Sequence, residues 1–145
     1  MHVKIAKYMV IKENMNEELT KDIVREKLKN SNINNNFEIE PVTSTNPRID
    51  KILKTASKSG SGKGRPEFII TDREDSDYVI IIECKADLKK HKSKNLNKYK
   101  DYAVDGALLY SSYLSKEYDV ISIAVSGEKE KDILISGFLQ QKKNK

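Results

Sequence analysis

Apolar residues in this chain come in short runs of differing period, and the periods predict its elements. From Asn16 to Lys29, NEELTKDIVREKLK sets Leu19, Ile23 and Leu28 near one face among charges, the spacing of an amphipathic helix, with Asn14 or Asn16 placed to cap it. The asparagine-rich NSNINNN ends that helix, because asparagine accepts turn geometry and competes for helical hydrogen bonds. FEIEPV, from Phe37, alternates as a short strand does. NPRIDKILKTASK predicts a short helix opened by Pro47, with Ile49, Ile52 and Leu53 on one side, before the glycine-rich loop SGSGKGR. EFIITD and DYVIIIECK read as two strands joined by a polar hairpin turn, REDSD. Val79 to Ile82 is apolar at every position, which predicts a central strand covered on both faces.

The second half continues in the same manner. YKDYAVDGALLYSSYL spaces Tyr99, Tyr102, Ala103, Gly106, Leu109, Tyr110 and Tyr113 by threes and fours, predicting a helix. VISIAVS and DILISGFL predict two more strands, and the terminal QQKKNK is expected to fray. Helix, strand, short helix, two strands, helix and two strands make an α/β chain with a mixed sheet flanked by helices.

Composition narrows the class. The 145 residues suit a single domain over residues 1–145. Hydrophobic residues make up 37% and charged residues 34%, with a mean hydropathy of -0.66, yet the apolar residues are concentrated enough to build a core. No run approaches the roughly 18 apolar residues of a membrane helix, and the start, MHVKIAKYMVIKENM, is too short in apolar residues and too charged for a signal peptide. The expected setting is the cytoplasm, without membrane contact. The lone cysteine, Cys84, has no disulfide partner or zinc-ligand spacing, which fits a reducing compartment.

A net charge of +5 favours a polyanionic partner, and its distribution is more telling. KKHKSKNLNKYK carries Lys89, Lys90, Lys92, Lys94, Lys98 and Lys100 with no acid among them, and Lys63 and Arg65 stand in the glycine-rich loop; these are candidate contacts to DNA phosphates. The loop is not a Walker phosphate loop, because Lys63 is followed by Gly64 rather than serine or threonine.

Chemistry concentrates where the two central strands meet. Side chains alternate along a strand, so Glu83 and Lys85 project to one side with Cα atoms about 7 Å apart, while Cys84 points to the other layer. In a tight hairpin Glu67, at the head of one strand, lies beside Glu83, near the end of the next. Two carboxylates about 4 Å apart repel by about 4 kcal/mol at an effective dielectric of 20, so the pair calls for a positive charge or a shared proton. Oxygen donors suit a hard divalent cation such as Mg²⁺; His2 and His91 are too few and too badly placed for zinc.

Pro66-Glu67 followed by Glu83-Cys84-Lys85 resembles the signature of the PD-(D/E)xK nuclease superfamily, with Glu in place of the commoner Asp after the proline. The wider text, from NPRIDKILKTASKSGSGKGRPEFII through ECKAD to DYAVDGALLYSSYLSKEYDVISIAVSG, is similar to the N-terminal nuclease domain of type IIG and type I-like restriction-modification enzymes. That resemblance implies a restriction-endonuclease-like core of helix, three strands, helix and strand, and a Mg²⁺-dependent DNA endonuclease in which Mn²⁺ substitutes. It implies Glu67, Glu83 and Lys85 as catalytic residues, and metal binding by Glu67, Glu83 and the main-chain carbonyl of Cys84. A further acid from the first helix, Glu18 or Glu26, is a candidate to join them. Tyr99, Tyr102 and Asp105 are expected to pack behind the site.

The methyltransferase and target-recognition regions of such enzymes are not in these residues, so a larger chain or a partner is expected to supply them. Cutting both strands calls for a second copy or sequential nicking. The alternatives are a Holliday-junction resolvase or repair-type nuclease, or a non-cleaving nucleic-acid-binding module on the same fold. Contact through the lysine run carries a direct expectation: DNA affinity falls by about 0.9 log unit per log unit of salt for each phosphate neutralised. A salt-independent affinity removes the run from the contact surface.

Overall fold

The computed structural model describes residues 17–31, 37–41, 43–57 and 64–143. Helix α1 runs over residues 17–30. It is followed by β1 (Phe37–Pro41), α2 (Pro47–Leu53), β2 (Phe68–Asp72), β3 (Tyr78–Lys85), α3 (Ala103–Leu114), β4 (Asp119–Ser126) and β5 (Leu134–Gln140), with single 3₁₀ turns at Leu88–Lys90 and Glu130–Asp132. The five strands form one mixed sheet in the order β1-β2-β3-β4-β5. The expected α/β architecture, a mixed sheet with helices on its faces, is therefore present.

Strand β3 explains its continuous apolar run. It pairs antiparallel with β2, Phe68 opposite Ile82, and parallel with β4 from Tyr78 opposite Asp119 to Lys85 opposite Ser126. A parallel neighbour requires a crossover, and α3 supplies it. Val79 and Ile81 pack with Ile49 and Leu53 of α2 and with Tyr110 and Leu114 of α3. On the opposite face Ile80, Ile82 and Cys84 pack with Phe68, Ile70 and Val24 of α1. Both faces are covered, so no alternation is visible in the sequence.

The short α2 is held by local chemistry. Asn46 caps it by accepting from the N–H groups of Arg48 and Ile49, and Pro47 follows in the first turn, where a missing N–H costs nothing. Ile49 and Leu53 are buried, as their spacing predicts.

Three expectations are corrected. The face of α1 that meets the sheet is built on Thr20 and Val24, not on Leu19, which is 46% exposed. Thr20 is buried because its hydroxyl donates to the carbonyl of Gly127 at 2.5 Å, a bond that apolar periodicity does not register. Helix α3 begins at Ala103 rather than near Tyr99, because the segment before it is bound to the helix by the Asp105 side chain. The tail is tied down as far as Lys143: Lys142 N–H donates to Asp119 at 2.6 Å and Lys143 N–H to the Ser115 carbonyl at 2.8 Å. The Asn14 and Asn16 caps, the NINNN asparagines at 32–36 and the glycine-rich loop as far as Lys63 lie outside the described residues.

The approach to β2 is fixed by close contact. Gly64 N–H donates to the Leu53 carbonyl at 2.6 Å and Arg65 N–H to the Tyr110 hydroxyl at 3.1 Å, which aligns Pro66 and Glu67 for the strand that follows. A Cβ at Gly64 would fall on the Ala56 carbonyl oxygen and lie 2.8 Å from the Tyr110 ring. Gly64→Ala is expected to cost about 1–3 kcal/mol, read as a lowered midpoint in urea unfolding; an unchanged midpoint contradicts this packing.

Candidate active site

The parallel strands β3 and β4 end at the same edge of the sheet, a place where open α/β sheets build sites. Three further elements reach that edge: the first turn of α1, the head of β2 and the loop after β3. β4 leaves the sheet through Gly127, whose φ of +116° is a conformation that glycine adopts without strain. Its N–H donates to the Lys85 carbonyl at 2.9 Å, and its carbonyl takes the Thr20 bond that docks α1.

Glu67 and Glu83 are brought together. The Glu67 N–H donates to Glu83 Oε1 at 3.2 Å, one step beyond the last paired residues, Phe68 and Ile82. Glu83 is completely buried. Strand alternation puts it on the face opposite Cys84, which lies in the core beneath α1. Burial, and after it the negative charges of Glu67, Glu83 and Glu17, push the Cys84 thiol well above the usual cysteine range.

The register also indicates what the Cys84 carbonyl can do. Lys85 directs its carbonyl at Gly127, so the neighbouring Cys84 directs its own to the β2 side. The β2–β3 ladder ends at Phe68 opposite Ile82, and Pro66 lies two residues before that end. Proline has no N–H to lengthen the ladder.

The positive charge that the acids call for comes from a residue the sequence reasoning missed. Lys21 of α1 lies 3.2 Å from Glu67 Oε2 and 3.1 Å from Glu18 Oε1. Burial would lower the Lys21 pKa, but hydrogen bonds and charge from Glu18 and Glu67 outweigh it and raise the pKa above the ordinary lysine value. Glu18 is turned outward onto Lys21 and Arg25, and Glu26 is exposed; neither joins Glu67 and Glu83. The first-helix acid nearest the triplet is instead Glu17, which shares a helical stripe with Thr20, Lys21 and Val24.

Beside the triplet is a cleft of about 660 Å³ whose lining includes Glu17, Lys85, Lys89, Lys90, Lys129 and Asp132. Glu67 and Glu83 are not part of its wall. Lys85 makes no ion pair among the described residues, so its ammonium is available to the cleft. As to metal fit, no group of three or more His, Cys, Asp or Glu side chains is clustered for an ion among the described residues. Glu67 and Glu83 meet through the Glu67 backbone N–H, while the Glu67 carboxylate lies on Lys21; as donors, the two carboxylates and the Cys84 carbonyl are all oxygen, a set that suits a hard divalent cation rather than zinc.

The lysine run is a shaped loop. Buried Asp105 accepts from the N–H groups of Ser93 (3.1 Å) and Lys98 (2.9 Å) and from the Ser93 hydroxyl. His91 bridges Ser126 of β4 (2.7 Å) and Ser136 of β5 (2.8 Å) through its two ring nitrogens. Lys90 and Lys98 lie over the Tyr102 ring at 5.0 and 5.9 Å. Lys89, Lys90, Lys92, Lys94 and Lys98 are exposed, as is Arg65, but only Lys89 and Lys90 line the cleft. Asp105, expected as packing, thus clamps the loop.

Comparisons with protein-family models, with curated proteins and with solved structures return no match to this chain.

Burial lowers the His91 pKa below its ordinary 6.5, so the folded protein favours the neutral ring. Between the folded and unfolded pKa values the unfolded chain binds more protons, so stability falls as pH drops below about 6.5 and levels off once the folded pKa is passed. Urea midpoints at pH 7.5 and 5.5 are expected to differ more for the wild type than for His91→Gln. Equal differences contradict this account.

Proposed function

We propose that this chain is a Mg²⁺-dependent endodeoxyribonuclease domain with a restriction-endonuclease-like core. The observation that carries the reading is the 3.2 Å hydrogen bond from the Glu67 N–H to the Glu83 carboxylate at the carboxyl end of β3, two residues before a Lys85 that lines a cleft of mixed charge. Supporting it is the order α1, β1, β2, β3, α3, β4, with α2 inserted between β1 and β2.

In this reading Glu67, Glu83 and the Cys84 carbonyl would hold the cation. When bound there, Mg²⁺, or Mn²⁺ in its place, supplies Lewis acidity at the phosphate and lowers the pKa of water. The chain's own residues do the rest. The Lys85 ammonium, extending into the cleft, orients a nucleophilic water and neutralises charge growing on the scissile phosphate during in-line displacement. Lys89 and Lys90 on the cleft wall, with Lys92, Lys94, Lys98 and Arg65 beyond it, grip the phosphate backbone. Lysines grip phosphates without reading bases, so sequence recognition falls to methyltransferase and target-recognition regions in a larger chain or a partner.

Supercoiled plasmid is expected to be nicked with Mg²⁺ and spared with EDTA. Glu83→Gln and Lys85→Ala are each expected to slow cleavage by about 10²-fold or more while DNA binding persists. Full Mg²⁺-dependent activity in both variants contradicts the proposal. Faster cutting of four-way than of linear DNA would move the assignment to a junction-resolving nuclease.

A further inference from the structure

Among the described residues β5 is an edge of the sheet, and it lacks the usual protection. Proteins blunt such edges with charge, proline or a bulge, because unpaired backbone groups recruit other strands. β5, LISGFLQ, contains no charge and no proline, and it pairs with β4 without interruption from Leu134 to Gln140.

The register determines which groups are left open. Gly127 N–H bonds the Lys85 carbonyl, so odd-numbered residues of β4 direct their backbone groups at β3 and even-numbered ones at β5. Ser122 opposite Phe138 and Ala124 opposite Ser136 are therefore the bonded pairs, which leaves the N–H and C=O of Ile135, Gly137 and Leu139 at the free edge. Ile135 and Leu139 are 56% and 68% exposed, beside half-buried Ile121 and Ile123 of β4 on the same sheet face. Between them, a Cβ added at Gly137 would meet nothing within 4 Å among the described residues.

This edge is complementary to itself. Gly137 is the central residue of Leu134–Gln140, so a two-fold axis through it sets an identical antiparallel strand in register. Each outward-facing residue then meets another: Gly137 meets its own copy, and Ile135 meets the partner's Leu139. No like charges oppose one another within the ladder. By count, Lys142 falls opposite the partner's Asp132, and neither is ion-paired among the described residues. The next pair out, Lys143 with the partner's Lys131, is like-charged but lies beyond both strands.

We propose that β5 is a homodimer surface, through which two copies of this chain pair antiparallel about Gly137 and join their sheets into one. The proposal goes beyond the nuclease reading and does not depend on it. A single strand pair buries less than the roughly 1,200–2,000 Å² of a stable complex, so the dimer forms and dissociates with concentration.

Sedimentation velocity of the full chain is expected to show the mass rising with concentration from 16.6 kDa toward twice that value. Ile135→Lys is expected to raise the dimer dissociation constant at least tenfold. Combining Ile135→Glu with Leu139→Lys restores pairing through opposite charges. Opposed Cα atoms in a hydrogen-bonded pair are about 5.5 Å apart, within disulfide reach. Mild oxidation should therefore cross-link Gly137→Cys and leave Leu134→Cys, which faces the partner's Gln140, uncoupled. A chain that stays monomeric to its solubility limit overturns the proposal, as does a dimer indifferent to Ile135→Lys or one cross-linked equally through Leu134→Cys. A monomer whose Ile135, Gly137 and Leu139 amides resist hydrogen exchange assigns the edge to another part of the same chain and equally overturns it.

Discussion

The arrangement at the sheet edge depends on one buried carboxylate. Glu83 is enclosed at the end of an apolar strand, where an ionised group without partners would cost several kcal/mol. The Glu67 N–H meets part of that cost from a bend at Glu67, just before β2 begins. Gly64 and Arg65 fix the bend against α2 and α3, so the placement of one acid is written into the contacts of three elements. Lys21 adds the charge that lets Glu67 stand near a second carboxylate. The account of a cation site grows from this cluster: a protein that sought stability alone would place an apolar residue where Glu83 stands.

A second buried acid shapes the surface. Asp105 lies in the first turn of α3 and organises a loop from the segment before it, through two backbone N–H groups and a hydroxyl. His91 fastens the same loop to β4 and β5. Lysines held this way lose less freedom when they meet an anion than lysines on a free tail would, which is why the order of the loop bears on binding. The loop and the Glu67–Glu83 pair share the sheet edge because both follow from where β3 and β4 end.

Much of this was legible in the sequence. The strands were evident from their aliphatic runs, and the adjacency of Glu67 and Glu83 followed from counting back across a short hairpin. What escaped detection shares one physical cause: polar side chains buried by a hydrogen bond carry no signature in apolar periodicity. Thr20 holds α1 to the sheet through its hydroxyl, so the helix is rotated from the face that Leu19 suggested, and Glu17 rather than Glu18 turns toward Cys84. Asp105 and Ser93 likewise find partners across an irregular loop, and no local pattern marks such a pairing. Lys21 was hidden among the other charges of its helix until the fold set Glu67 beside it.

The central claim, that Glu67 and Glu83 form the oxygen site of a divalent cation, is tested most directly by calorimetric titration of Mg²⁺ into the full chain. The account predicts saturable binding at one site that is lost in Glu67→Gln and in Glu83→Gln and survives Lys85→Ala. Absence of binding to the wild-type chain, or undiminished binding after both glutamates are replaced, would contradict it.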